Sequence, residues 1–232
     1  MKAKLISILV AINMFSMTAQ VIKETRIDTK DNISCIKLNT LTQVILKNGD
    51  SYKVEVETDK QYLPYIKTIQ KDSTIEIYTD APTHTKKMKH CNIYITVPNM
   101  PLNIKANAIS NIQTTNNLLK IDNLNIDANA IATIKLNLIT ETFNCVLNAV
   151  STVEIEGASN HSEFHFNAIT NCNLSDFKIK DLYLTINSSV TSDFYVSHNF
   201  KLDAKSVLNL NIFGHPTILL SQKIKSCSVN IE

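Results

Sequence analysis

The chain has 232 residues, of which 44% are hydrophobic and 19% charged, so it can form a core and disorder throughout its length is excluded. Its 3 glycines and 5 prolines exclude collagen-like and linker-like sequences. The 23 basic and 21 acidic residues give a net charge of +2, which gives no sign of binding to nucleic acid or to an anionic membrane.

Residues 1–19 have the pattern of a secretory signal peptide. Lys2 and Lys4 precede an apolar run over residues 5–17, and small residues after it predict cleavage near Ala19. The apolar run is shorter than a membrane span of about 20 residues. The alternative interpretation of residues 1–19 is a buried N-terminal strand. We therefore expect an exported protein that stays in the periplasm, on the outer surface or outside the cell, with no transmembrane segment in the mature chain.

Residues 20–100 show irregular β patterns. Val54 and Val56, and then Ile75 and Ile77, alternate with polar residues as in half-buried strands. The pair at residues 48–49 is Asn-Gly, a strong signal for a hairpin turn. We expect this part to cap one end of the more regular structure that follows, because exposed ends of stacked β structures pair with other chains.

A short motif, typified by Asn-Ala-Ile-Ser, recurs about every 20 residues in the second half of the chain, and a weaker copy begins at Lys205. Periods of this length indicate a solenoid. The asparagines that begin the five clear copies are Asn107, Asn129, Asn148, Asn167 and Asn187. We expect these asparagines to form a structural corner ladder, in which amide side chains bond along the stack and the left-handed backbone that asparagine tolerates turns the chain without glycine.

Apolar residues alternate with polar residues on both sides of each corner, which indicates strands rather than helices. Before the first corner, Leu102, Ile104 and Ala106 are expected to face inward. Two residues after the corners, a second inward column is expected. Its main members are Ile109, Ile131, Val150 and Ile169. The pattern predicts an all-β fold, a right-handed parallel β-helix-like solenoid with coils of about 18–22 residues; an evenly spaced antiparallel sandwich is the alternative.

The chain has five cysteines, and none forms a Cys-x-x-Cys pair. An odd number cannot pair completely within one chain, and the spacing does not indicate a zinc or redox motif. Cys145 and Cys172 fall in apolar columns, so we expect them to be small core residues.

The best candidate for a metal site is His161, Glu163 and His165, which lie on one face of a predicted strand. Imidazole and carboxylate groups are valid zinc ligands. However, alternate strand residues are nearly 7 Å apart, so chelation needs distortion or a ligand from the next coil. We expect this face to be solvated, and we predict no metal, no cofactor and no catalytic residues.

Several segments resemble one known family in the same order along the chain. They are residues 47–50, 71–77, 97–112 and 213–216. Together they resemble the putative auto-transporter adhesins with a head GIN domain, over roughly residues 30–220. In that family the repeated corner is usually Ser-Gly-Ala-Ser, whereas in this chain it is Asn-Ala-Ile-Ser. The resemblance implies a parallel β-helix-like fold, export and a surface or periplasmic location, and it supplies no catalytic residues.

These patterns predict a signal peptide over residues 1–19 and one domain over residues 20–232. Its parts are the capping segment of residues 20–100, the regular coils of residues 101–216 and a C-terminal cap of residues 217–232. We expect a non-enzymatic cell-envelope protein that binds an unknown protein or glycan, and that can form oligomers. The alternatives are a structural module of the envelope and a carbohydrate-active enzyme. An enzyme has little support, because acids near turns such as Asp122, Asp176 and Asp181 show no spacing that pairs them.

Overall fold

The structure, a computed structural model, describes residues 20–80, 91–115, 117–205, 208–220 and 227–231. The predicted signal peptide of residues 1–19 lies outside the described residues. Strands make up most of the described chain, together with one 3-10 helix over Leu63–Tyr65. In the described ranges no helix is long and apolar enough to cross a membrane.

Eighteen strands follow one another along the described chain. They are β1 (Val21–Thr29), β2 (Cys35–Asn39), β3 (Thr42–Asn48), β4 (Tyr52–Asp59), β5 (Ile66–Lys71), β6 (Thr74–Thr79), β7 (Cys91–Val97), β8 (Leu102–Ala106), β9 (Ser110–Thr114), β10 (Leu119–Lys120), β11 (Asn123–Ala128), β12 (Ala132–Leu147), β13 (Ser151–Phe166), β14 (Thr170–Ile186), β15 (Val190–Ala204), β16 (Leu208–Phe213), β17 (Thr217–Leu220) and β18 (Cys227–Ile231).

The strands from β8 onward stack as parallel coils, so the predicted parallel β-solenoid is confirmed. Strand β11 pairs with β8 and β12, and β12 to β15 pair successively in parallel along most of their length. Equivalent repeat positions therefore lie above one another. One inward column runs through Ile104, Ile126, Cys145, Phe164, Leu184 and Leu202. Each of these side chains is buried, so the core runs along the axis of the stack.

The long strands β12 to β15 bend midway, and one glycine permits a bulge there. Gly157 has a φ of +113°, and its pairing with β14 shifts register between Glu154 and Gly157. A Cβ atom at Gly157 would lie 2.1 Å from the carbonyl oxygen of Leu138 on the neighbouring coil. Only glycine combines this dihedral angle with so close an approach of two backbones.

The prediction that Ile109, Ile131, Val150 and Ile169 form an inward column is wrong. Their exposed fractions are 52%, 52%, 53% and 59%. They lie at the bend just before each strand begins, and the inward alternation starts one residue later. The buried residues there are Ser110, Ala132, Ser151, Thr170 and Val190. The expected column therefore exists as a stack, but it faces solvent.

The expected left-handed backbone at the corner asparagines is also wrong. Among the described residues other than glycine, only Asp72 and His215 have a positive φ. The corners are held instead by short-range hydrogen bonds. In each one, the hydroxyl of the third residue after the asparagine donates to the carbonyl oxygen of the first residue after the asparagine. These bonds are Ser110 Oγ to Ala108 O (2.8 Å), Ser151 Oγ to Ala149 O (2.8 Å) and Thr170 Oγ1 to Ala168 O (3.0 Å).

The N-terminal part both joins the stack and caps it. Strands β2 and β3 pair in parallel with β8 and β9 on one side and with β6 and β7 on the other. Strands β5 and β4 then close this end in antiparallel pairing with β6 and β7, and β1 pairs antiparallel with β4. The predicted capping β segment is thus confirmed. Strands β2 and β3 also form a coil of the regular stack, which the sequence pattern did not predict.

The C-terminal strands continue the parallel pairing, since β17 pairs with β15 and β18 with β16. At the centre of the core, Phe143 and Phe164 meet edge to face with centroids 5.5 Å apart. Cys145 and Cys172 are buried and unpaired, as predicted for small core residues. Burial raises the pKa of both thiols, and it raises that of Cys172 to about 12.

Candidate ligand-binding face

The corner asparagines form a continuous ladder of amide side chains. In each step the Nδ2 group of one asparagine donates to Oδ1 of the asparagine on the coil before it, over 2.7–3.0 Å. The members are Asn39, Asn107, Asn129, Asn148, Asn167 and Asn187. The membership of Asn39 in the ladder was not recognised from the sequence, because the 68-residue separation from Asn107 hides the repeat period.

A second amide ladder follows the strand that precedes each corner. Asn144 donates to Asn125, and Asn125 donates to Asn103, each over 2.7 Å. Asn103 in turn donates to the carbonyl oxygen of Ser34 over 2.9 Å. These asparagines stand four residues before the corner asparagines, so the repeat itself was the signal that could have identified them.

The second ladder ends where other side chains replace asparagine. On the next three coils the same row carries Glu163, Tyr183 and Lys201. The Lys201 ammonium group lies 4.4 Å from the centre of the Tyr183 ring, which is a cation–π contact. This change of side chains creates a groove of about 490 Å³ on the outer face, which we call the polar groove.

Asp181 lies in the polar groove at the centre of a hydrogen-bonded cluster. Its Oδ1 atom accepts a bond from the Nδ2 group of Asn199 over 2.7 Å and lies 2.7 Å from Nδ1 of His198. Its Oδ2 atom lies 3.3 Å from Nδ1 of His161. Partial burial alone would raise the pKa of Asp181, but the hydrogen bonds from His198 and Asn199 and the nearby imidazoles lower it overall.

The structure divides the candidate metal ligands between two groups. All three side chains face outward, while Phe164 between them is buried. His165 Nε2 lies 2.8 Å from Glu163 Oε1, whereas His161 contacts Asp181 and, at 4.0 Å, Glu141. Across the described ranges, no group of three or more His, Cys, Asp or Glu side chains has a geometry that could hold a metal ion.

A second groove of about 350 Å³ lies at the bend in the middle of the coils. Asp122 and Glu141 line it, and Asn160 donates from Nδ2 to Glu141 Oε2 over 2.5 Å. Asp181 lines the polar groove, and Asp176 is exposed and lines neither. The acids considered from the sequence are therefore distributed over different parts of the surface.

His161 and Glu163 of the polar groove were recognisable from the sequence, but only as metal candidates. Tyr183, Asn199 and Lys201 were not identified from the sequence, because each is an ordinary outward residue within its own coil. Side chains on different coils become neighbours only through the parallel register. A departure from the asparagine row on three consecutive coils was the available signal.

Comparisons with known proteins place this architecture among known structures. The protein-family model described as "Putative auto-transporter adhesin, head GIN domain" matches residues 32–216. A putative adhesin from Bacteroides fragilis NCTC 9343 is similar in structure, with a TM-score of 0.75 and 16% identity, over 91% of this chain and 94% of that one.

Two further solved structures share the fold at lower similarity. A putative adhesin from Parabacteroides merdae ATCC 43184 has a TM-score of 0.61 and 12% identity, over 93% of this chain and 97% of that one. A putative lipid binding protein from Parabacteroides distasonis ATCC 8503 has a TM-score of 0.56 and 12% identity, over 93% and 98% of the two chains. No curated protein matches the chain.

Proposed function

The chain belongs to the family of putative auto-transporter adhesins with a head GIN domain, and from this premise we propose that it is an exported, non-enzymatic protein of the cell envelope. We infer that it binds a protein or a glycan through the polar groove. The observation that carries the proposal is the replacement of the asparagine row by Glu163, Tyr183 and Lys201 on three consecutive coils.

The fold supports binding because it holds the groove side chains in place before a ligand arrives. The strands under the groove pair on both sides, and their inward side chains, such as Phe164, Leu184 and Leu202, are fully buried. A rigid backbone loses little conformational entropy when it binds, so more of the interaction free energy appears as affinity.

The chemistry of the groove favours a polar ligand. Tyr183 offers an aromatic ring, one side of which contacts Lys201, and Asn144, Asn199 and Asp181 offer amide and carboxylate groups beside it. An aromatic surface next to hydrogen-bonding groups suits a sugar ring or a polar peptide segment. A relative described as lipid binding shares the fold, and the exposed Leu219 adds apolar surface to the groove. The charged and amide groups that surround this surface favour a glycan or a protein over an acyl chain.

The arrangement of acids gives no support for the carbohydrate-active alternative. Hydrolysis of a glycosidic bond uses two carboxyl groups that flank the bond. Glu163 and Asp181 both line the polar groove, but Glu163 is hydrogen-bonded to His165, and Asp181 is hydrogen-bonded to Asn199 and paired with His198. These contacts lower the pKa of Asp181, whereas a catalytic general acid needs a raised pKa. We therefore propose binding without turnover.

The binding proposal is tested with an array of glycans and a panel of envelope and extracellular-matrix proteins. We expect the purified protein to bind at least one of them, and Tyr183→Ala to weaken that binding at least about tenfold, because aromatic anchors dominate such sites. Tyr65→Ala, which alters a partly exposed tyrosine at the capped end, is the matched control. Failure to bind any probe, or equal affinity of Tyr183→Ala, would overturn the assignment of the groove.

The export proposal is tested separately, by fractionating cells that express the tagged full chain. We expect the protein in the envelope or the medium, with a mature N-terminus near residue 20. A cytoplasmic protein that keeps residues 1–19 would contradict export, and it would leave the binding assay unaffected.

A further inference from the structure

The five exposed aliphatic side chains beside the corner ladder form a single line, which we call the aliphatic ridge. Its members are Leu41, Ile109, Ile131, Val150 and Ile169. Each is 52–60% exposed, and together they are half of the ten exposed large hydrophobic side chains in the described residues. A concentration of this kind is unusual, because exposed apolar residues on a monomer are normally scattered.

The register of the strands places the ridge residues on consecutive coils. Each precedes a residue of the parallel ladder that runs from Thr42 through Ser110, Ala132 and Ser151 to Thr170. Successive strands are about 4.8 Å apart, so the five side chains span about 19 Å. The ridge ends at the following coil, where Ser189 has the equivalent position.

Uncharged rows border the ridge on both sides. One row is the corner ladder of asparagines. The other consists of the first outward side chains of the following strands, and its members are Gln43, Asn111, Thr133, Thr152 and Asn171. A nearby pair of charges, Lys135 and Glu154, neutralises itself in a salt bridge of 2.7 Å.

This combination points to a second copy of the same chain as the partner. A stack of aliphatic side chains with a 4.8 Å repeat interdigitates best with another stack of the same repeat, as paired β stacks do in dry zipper interfaces. In a two-fold contact the borders of one ridge meet the borders of the other, and uncharged borders bring no like charges together there. An anionic membrane or nucleic acid would instead require basic borders.

We propose that the aliphatic ridge is a dimerisation surface, on which two copies of this protein meet ridge to ridge. The asparagine amides on one border and the amides and hydroxyls on the other can donate and accept hydrogen bonds across the contact. This interface is distinct from the polar groove, so it does not depend on the proposed ligand. Dimerisation would join two grooves in one particle and increase avidity for a repeated ligand.

The test measures the mass of the purified protein by sedimentation over a wide range of concentrations. We expect a dimer that withstands high salt, since apolar contacts are not screened. Ile131→Lys, at the centre of the ridge, should weaken dimerisation at least about tenfold. Val150→Lys repeats this test on the neighbouring coil. Ile139→Lys is the matched control, because Ile139 is exposed in β12 at a different bend and should leave the dimer intact.

Circular dichroism and thermal unfolding of each variant establish that it is folded, which is expected because the altered side chains face solvent. A monomer at every concentration would overturn the proposal, as would a dimer that Ile131→Lys and Val150→Lys leave unchanged. Flotation with neutral phosphatidylcholine vesicles identifies the competing occupant. A monomer that floats with the vesicles, and whose flotation depends on the ridge residues, would assign this surface to lipid and would also overturn dimerisation.

Discussion

At the scale of single residues, Glu55 shows how this fold accommodates a charged group that is largely removed from solvent. Its side chain is 14% exposed and contacts three ammonium groups, those of Lys47 at 3.1 Å, Lys53 at 3.3 Å and Lys23 at 3.5 Å. These residues lie on β3, β4 and β1, so the cluster joins the first coil to the cap. Burial tends to raise the pKa of Glu55, but the three lysines lower it overall.

Glu55→Gln should therefore reduce stability in a pH-dependent way. A lowered carboxyl pKa stabilises the folded state fully above the ordinary glutamate pKa of 4.5, and this contribution is lost as the pH falls through the lowered folded value. At pH 7 we expect the free energy of unfolding to fall by about 1 kcal/mol, because the lysines are partly exposed. Urea unfolding over a series of pH values measures the difference, which should disappear in acid.

Glu24→Gln is a suitable control for this experiment, since Glu24 is 49% exposed and contacts only Arg26 at 3.2 Å among the ion pairs described. It should change stability little at any pH. A loss in Glu55→Gln that is as large in acid as at pH 7 would show that shape, rather than charge, determines the effect.

At the scale of the repeated element, the corner ladder should be cooperative along its length. Asn148 donates to Asn129 and accepts from Asn167, each over 2.7 Å, and also makes a long contact of 3.4 Å with Asp127 Oδ1. Asn187, at the last step, only donates to Asn167 among the described contacts. A net hydrogen bond contributes about 1 kcal/mol. We therefore expect Asn148→Ala to lower the free energy of unfolding about twice as much as Asn187→Ala.

Urea unfolding of the two variants side by side measures this ratio, and both substitutions remove the same atoms from exposed side chains. Equal losses would contradict the ladder as a source of stability. They would indicate that each asparagine acts only within its own corner.

The repeat made most of this element predictable from sequence. An apolar period of two within a copy and of about 20 between copies leaves little choice but stacked strands. The outward position of Ile131 was not predictable in the same way. A bend shifts the inward alternation by one residue, and the sequence pattern does not show where the bend ends. The predicted left-handed backbone at Asn129 was wrong because a second cause favours asparagine there. The side-chain hydrogen bonds of the ladder account for the asparagine without an unusual backbone angle.

The polar groove was less predictable than the strands that carry it. Tyr183 is an ordinary outward residue within its own coil, and it becomes notable only beside Glu163 and Lys201 on adjacent coils. Likewise, Asp181 acquires its neighbours His161 and His198 through the register of β13, β14 and β15. Sites of this kind depend on which coils are adjacent, and the inserted residues 49–101 obscured that order at the start of the stack.

At the scale of the whole molecule, one core joins the cap to the coils. Strands β2 and β3 pair with β8 and β9, although the intervening chain forms most of the capped end. Inward residues from both parts, such as Ile36, Val44, Ile104 and Ile112, belong to one hydrophobic cluster. The edge strand β1 carries Lys23, Glu24 and Arg26 and a bulge, features that discourage pairing with other chains.

This continuity predicts that residues 20–232 unfold as one domain. Each coil buries its inward face only against its neighbours, so loss of one coil exposes the next. We expect a single urea transition, with hydrogen exchange of β3 and of β15 requiring the same free energy of opening. Mass spectrometry of peptides from these two strands measures both ends in one experiment. If β3 exchanged at a clearly lower free energy than β15, the cap and first coil would form a separate unit, and the single-domain proposal would fail.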